Sequence, residues 1–417
     1  MELKLKYQYT YFIKPFIIKE NKYKDYLLSL LNNKDFNLKI FEKEGNINIY
    51  SYFIPDIRDY FFPTFSFDRN YINKLDKIDN KTNAGILSKL HCNIFEYNLN
   101  NKMQGKVSKD GIFFNINKIE IICFDTGICF LVMKTDLENS ESFSDLINFN
   151  YRFKDINTDF GKLRDFTNIK IQTSKFNNMR ELSDFIDDIT GINTSTIKAE
   201  NADLYNRRFF VYTYSCIDQE IWNKQEDFNN FKSEFFKYIN LLSSNDSMDF
   251  NKKEEKINTN NIEEFKFSRF GFTKQSAGLM TSSVDINNYT KLLFSYENEY
   301  LYTLIISLYQ RIYLKNIENM LKNNLNVKNT VKKFIKFTKE IFNIEITNSN
   351  AGTIFYKNWR EVFELQEIYN EIKDKYEVIY KESNIDKNNK INRVIIIALV
   401  ASLVLNIVNF ISFIKIM

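Results

Sequence analysis

The side chains whose types and spacing could do chemistry fall into two groups. The first is Ser402, Asn406, Asn409 and Ser412, hydroxyl and amide groups inside an otherwise apolar run. At about 100° per residue they share roughly one third of a helix circumference with Ala398. Amides facing lipid would leave hydrogen-bonding groups unsatisfied, so this stripe must meet another helix or water. Two chemistries fit it. In one, Ser402, Asn406 and Asn409 line a conduit in a ring of protomers, with Ala398 allowing close helix approach; in the other, the amides only hold helices together. The second group is Arg207, Arg208, Arg269, Lys274 and Arg311, cations embedded in apolar stretches. Guanidinium groups there suit bidentate contact with phosphate or carboxylate, and the competing reading is ion pairing within the protein.

Catalytic patterns are missing from the sequence. His91 is the single histidine, which leaves triads and histidine-based metal sites almost nothing to work with. No GxxxxGK[ST] or GxGxxG loop occurs, and ten glycines in 417 residues leave few places for backbone to approach a nucleotide closely. Carboxylates are plentiful, but no motif marks a pair for acid–base work. The expectation is a protein that is not an enzyme and that carries no metal or cofactor. Cys92, Cys123, Cys129 and Cys216 lack CxxC spacing and read as buried thiols in a reducing compartment. A net charge of +4 implies no general attraction to nucleic acid.

The polar stripe has to be positioned by the stretch Val394–Ile414. Its 21 positions hold no charged residue, and 15 are Val, Ile, Leu or Phe. Such a helix is long enough to cross a hydrocarbon core of about 30 Å, and its apolar set favours insertion by roughly 5–9 kcal/mol. Lys387, Lys390 and Arg393 precede it and only Lys415, Ile416 and Met417 follow. The positive-inside bias then places the preceding residues in the cytoplasm, giving a tail-anchored protein of the inner membrane with one span. Met1–Lys14 show no charged region followed by an apolar run, so no cleavable export signal is expected.

The remaining elements follow from periodicity. Leu3, Leu5, Tyr7, Tyr9, Tyr11 and Ile13 alternate as a strand that Pro15 should end, and a helix fits Tyr23–Leu31. The stretch Tyr52–Phe67, with two prolines, reads as an ordered loop packed on a core. Ile119–Phe124 and Ile128–Lys134 form a hairpin around Asp125, Thr126 and Gly127. Helices fit Ser142–Phe153 and Met179–Ile189, the latter closed by Gly191, and a strand fits Arg208–Cys216. Residues 1–242 are thus expected to form an α+β cytosolic domain. A polar linker or loop over 243–264 precedes a segment, 265–353, of strands and buried helices (Tyr296–Leu325, Val331–Phe342). Over 354–392 a 3,4 spacing of Phe355, Asn358, Val362, Leu365, Tyr369, Ile372, Tyr376 and Ile379 predicts a stalk helix, about 40 Å long from Ile354 to Tyr380. Its seam would pack between protomers or back on its own domain. The chain closes with the transmembrane anchor, 393–417.

This order of parts, with the long helices ENEYLYTLIISLYQRIYL and NWREVFELQEIYNEIKDKYEVIY, the hairpin IEIICFDTGICFLV and the run FTKEIFNIEITNSNAGTIFYKNW, resembles the CorA-type channel architecture. CorA transporters carry a GMN sequence and a second span, and this sequence shows neither, which turns the resemblance away from magnesium transport. It is closer to CorA-like membrane effectors of antiviral defence, those of type III CRISPR loci and single-span channels of the Hailong kind. The resemblance implies a homo-oligomer, a tetramer or pentamer in the bilayer, whose soluble domains bind a nucleotide second messenger and whose spans open an ion channel. A non-conducting membrane-tethered scaffold and a reduced divalent-cation transporter are the alternatives.

Overall fold

A computed structural model describes residues 3–68, 72, 77–99, 103–107, 111–138, 140–156, 169–172, 180–191, 208–247, 260–262, 266–323, 325–378 and 396–397. The elements in chain order are β1 (Leu5–Ile17), α1 (Tyr23–Asn32), β2 (Phe36–Leu38), α2 (Ile47–Tyr52), α3 (Pro55–Phe61), α4 (Asn80–Leu87), β3 (Cys92–Tyr97), β4 (Met103–Val107), β5 (Ile112–Phe124) and β6 (Ile128–Leu137). Next come α5 (Phe143–Phe153), β7 (Ile169–Gln172), β8 (Arg180–Glu181), α6 (Leu182–Thr190), β9 (Phe210–Ile217), α7 (Lys232–Asn240), β10 (Asn260–Ile262), β11 (Ser268–Phe272) and β12 (Ser276–Ser282). The last are α8 (Lys291–Ser295), α9 (Leu301–Lys322), α10 (Val327–Phe337) and α11 (Asn350–Val362).

Among the described residues twelve strands form one sheet in the order β10-β11-β12-β9-β1-β6-β5-β4-β7-β8, with β3 on β5 and β2 on β3. The β9–β12 pair is parallel and the other pairs are antiparallel, so the α+β expectation holds with a mixed sheet. Strand β5 pairs with β6 along one edge and with two strands along the other. Ile112–Ile116 pair with β4 and Glu120–Phe124 with β3, and between these two stretches the β5–β6 register shifts at Ile116/Lys118. The expected hairpin joins β5 to β6, and Gly127 takes φ +84 at its turn.

Alternation along the strands gives the sheet two apolar faces. On one, Phe12, Ile121, Cys123, Cys129, Leu131 and Met133 join a core with Tyr26 and Leu27 of α1, Leu146 and Phe149 of α5, Phe185 of α6 and Ile239 of α7. A polar node sits inside this layer: Thr10 Oγ1 meets Asn150 Oδ1 at 2.9 Å and Thr213 Oγ1 at 2.8 Å, while Tyr238 Oη donates to Thr213 Oγ1 at 3.1 Å. The other face is lined by tyrosine and phenylalanine. Tyr9 stacks on Tyr214, Tyr212 on Tyr296, and Phe124 on Tyr309 of α9. The buried carboxylate Glu120 lies among them, with Lys39 Nζ at 2.6 Å and Lys118 Nζ at 3.0 Å from its Oε1.

The chain splits into two compact units, one of Met1–Tyr313 with Lys339–Phe363, the other of Leu314–Thr338 with Glu364–Met417. This division differs from the expected boundaries at 242 and 265, because β11 and β12 hydrogen-bond into the sheet begun by β1. In the second unit Phe334 packs against Tyr369 with ring centres 5.1 Å apart, and Lys375 Nζ lies 2.8 Å from Glu318 Oε1.

Three local expectations are corrected. Pro15 does not end β1, which runs on to Ile17. Beyond Ile13 the strand has no β9 partner, so the missing N–H is tolerated. Most of Tyr52–Phe67 is helical rather than loop, because Pro55 and Pro63 occupy the first turns of α3 and of the 3₁₀ turn Pro63–Ser66, where no N–H is required. The stalk helix is not continuous from 354 to 380. Helix α11 stops at Val362 and Glu364 adopts a left-handed φ of 53, with helix resuming over 365–378. The upstream part of the seam packs on its own sheet, where Phe355 touches Phe270, Phe272 and Tyr300. No helix among the described residues is long and apolar enough to cross a membrane, and the stretch 398–417 lies outside them.

Candidate functional site

The site begins with how α11 is seated. Ser349 caps it, its Oγ accepting from Gly352 N at 3.3 Å. A side chain at 352 would collide with Tyr52 Oη and Thr347 Cγ2, so a glycine is what lets the helix start so close to α2. From there Phe355 stacks on Tyr300 at 4.0 Å, and Trp359 meets Phe272 edge-on at 4.8 Å and Phe210 at 5.8 Å. Aromatic pairs of this kind fix a helix rotationally as well as burying area. With Phe355 and Trp359 committed to the sheet, Tyr356 and Arg360 turn toward the segment 342–347.

These two residues share a hydrogen-bond network. Gln310 Nε2, from α9, donates to Tyr356 Oη at 2.8 Å and to Ile341 O at 3.2 Å. Arg360 Nη1 donates to Tyr356 Oη at 3.2 Å and to Phe342 O at 3.1 Å, and the guanidinium lies over the Phe342 ring at 4.3 Å. The segment is held in turn by Ile54 N, which donates to Ile346 O at 3.1 Å, and by a bridge between Phe53 and Thr347. Together they enclose a groove of about 470 Å³ lined by Phe342–Thr347, Thr353, Tyr356 and Arg360. That volume suits a small ligand. A planar cation held over an aromatic wall suits a phosphate or carboxylate joined to a flat apolar group.

The cations singled out in the sequence do not converge on this groove. Arg208 Nε pairs with Asp155 Oδ1 at 2.8 Å, and its Nη1 reaches Gln275 Oε1 at 3.4 Å beside Lys274 in the β11–β12 turn. The parallel register of Val211 with Ser276 puts Arg208 and Lys274 at the same end of the sheet. Arg269 donates to Ser268 O at 2.8 Å and lies over Phe228 at 4.9 Å, on the face covered by α7. Arg311 is buried over Phe363 at 5.2 Å. Arg207, Ala398, Ser402, Asn406 and Asn409 lie outside the described residues.

Two constellations escaped the sequence reading. Tyr356 stands one residue and Arg360 two residues away from the nearest seam positions, and a guanidinium beside an apolar seam was the available signal. His91 is the other. Its Nδ1 lies 2.9 Å from Asp125 Oδ2 and its ring stacks on Tyr60 at 4.2 Å and 5°. A carboxylate that orients a histidine sets up acid–base chemistry, yet the partners stand 34 positions apart and only the β5–β6 turn joins them. Burial and the nearby Asp125 charge push the Tyr60 phenol well above its usual range, so Tyr60 stays neutral. No group of three or more His, Cys, Asp or Glu is placed to hold a metal among the described residues.

No protein-family model, curated protein or solved structure matches the chain.

Proposed function

We propose that this protein is a homo-oligomeric membrane channel, anchored by Val394–Ile414 and gated by an anionic ligand, a nucleotide signal, taken up by its cytoplasmic α+β domain. Its biological role would be that of an effector in antiphage defence. One observation carries the reading: a 21-residue stretch without charge spaces Ser402, Asn406, Asn409 and Ser412 so that a helix would carry them on a single face. Polar groups confined to one side of a lipid-crossing helix require an aqueous or protein partner, and copies of the same helix supply both. The groove beside Arg360 supports the ligand part of the proposal, since its size and its held guanidinium fit a phosphate-bearing planar molecule.

The test replaces Asn406 and Asn409 together with Leu in the full chain and records current from purified oligomer in planar bilayers. The expected result is loss of conductance with membrane insertion unchanged. Unaltered current in the double variant would remove the conduit, and an oligomer that never conducts would leave the membrane-tethered scaffold in its place.

A further inference from the structure

Among the described residues, Arg311 is the cation named from the sequence to which the structure gives neither an ion pair nor a hydrogen bond. It lies in α9 with 5% of its surface exposed, and neither its Nε nor its Nη1 has a hydrogen-bond partner. A guanidinium cannot discharge itself by losing a proton at ordinary pH. Burying it unpaired is therefore among the most costly arrangements a fold can contain. The ring of Phe363, 5.2 Å away, offers a cation–π contact but no acceptor. On the same ring Trp359 is stacked at 5.2 Å and 19°, fully buried, and its Nε1 also donates to nothing. Around Phe363, then, are three buried N–H-bearing atoms and no acceptor for any of them. Arg208, paired to Asp155, and Arg360, bonded to Phe342 O and Tyr356 Oη, are satisfied, and Arg269, whose Nε is buried without a partner, still donates through Nη1 to Ser268 O.

We infer that Arg311 is a binding residue for a phosphoryl group of the ligand, with Trp359 Nε1 as a second donor on the Phe363 platform. Each bidentate edge of a guanidinium contains Nε or Nη1, so the unpartnered atoms leave a donor open on either edge for an oxygen of a tetrahedral anion. Neighbouring Gln310 holds the Tyr356–Arg360 network of the groove, so consecutive residues of one helix serve the two places where an anion would be recognised. The inference rests on the reading that the α+β domain takes an anionic ligand, and not on the reading that the span conducts.

Thermal unfolding of the full chain in detergent, with inorganic phosphate titrated at constant ionic strength, tests it. Wild type should gain roughly 1–2 °C at about ten times the dissociation constant. Arg311→Met should melt higher than wild type in phosphate-free buffer, because an uncompensated charge is gone, and should no longer respond to phosphate. Arg311→Lys keeps the charge without the fork and should bind phosphate at least about tenfold more weakly, which decides the matter should the Met variant not fold. Wild type indifferent to phosphate, an Arg311→Met protein that melts lower yet keeps the response, or Arg311→Lys binding as wild type would each overturn the assignment. A phosphate response in a protein that carries no current would leave this inference standing and remove the channel.

Discussion

Replacing Glu120 with Gln removes the negative partner from a buried cluster and leaves its cations behind. Glu120 is 1% exposed; Lys39 and Lys118 both direct their ammonium groups at Oε1, and Oε2 is buried without a hydrogen bond. Lys39 Nζ also donates to Tyr302 Oη at 3.2 Å, tying the cluster to α9. Breaking a buried pair from one side costs about 3–5 kcal/mol, which for a protein of this size lowers Tm by roughly 3–6 °C. The pH dependence has a definite sign. Burial pushes the Glu120 carboxyl up, but the Lys39 and Lys118 charges outweigh it and hold the group below its ordinary 4.5. The unfolded chain takes up that proton first, so the stability Glu120 contributes is complete above about pH 4.5 and is lost as pH falls through the folded value. Urea denaturation of wild type and Glu120→Gln should show the full gap at pH 7 and a narrowing gap below pH 4.5. A gap under about 1 kcal/mol at pH 7, or one unchanged in acid, would refute the reasoning.

Two further outcomes follow from positions where geometry leaves little freedom. Gly127→Ala places a methyl against the Ile18 carbonyl at φ +84, so a loss of at least about 2–3 kcal/mol is expected in the denaturation midpoint, and a loss under 1 kcal/mol would contradict the turn described for β5–β6. Burial pushes the Lys154 ammonium down to about 8, and Asp155 only partly opposes this. Between pH 8 and 10.5 the unfolded chain binds the proton that the native state has released, so wild type should gain up to roughly 3 kcal/mol relative to Lys154→Met across that window; parallel pH profiles would contradict it.

Local signals in the sequence were sufficient where neighbours along the chain decide the structure. The β5–β6 hairpin follows from two apolar runs around Asp125–Gly127, and α6 ends at Gly191 with φ 67 as a left-handed cap. Sites made by distant pairing were hidden. Gln310 and Tyr356, or His91 and Asp125, meet only because α11 crosses the sheet and a hairpin brings its turn back to the start of β3. The 3,4 spacing through Val362 was real but ambiguous, since a row of apolar residues reads alike whether it faces a second copy or its own sheet. The left-handed residue Glu364 that interrupts it carries no signature, being neither Gly nor Asn. Among the candidate cations, a charge inside an apolar stretch marked burial for Arg311 and a surface ion pair for Arg208, and sequence alone could not separate the two.

Cys92, Cys123, Cys129 and Cys216 are all buried free thiols, on β3, β5, β6 and β9 of the central sheet. A thiol reagent can attack none of them until those strands part from the layers that cover them. The protein therefore contains its own stopwatch: the speed at which the four sulfurs become modified in native buffer counts how often the middle of the sheet opens, with no label added and no residue changed.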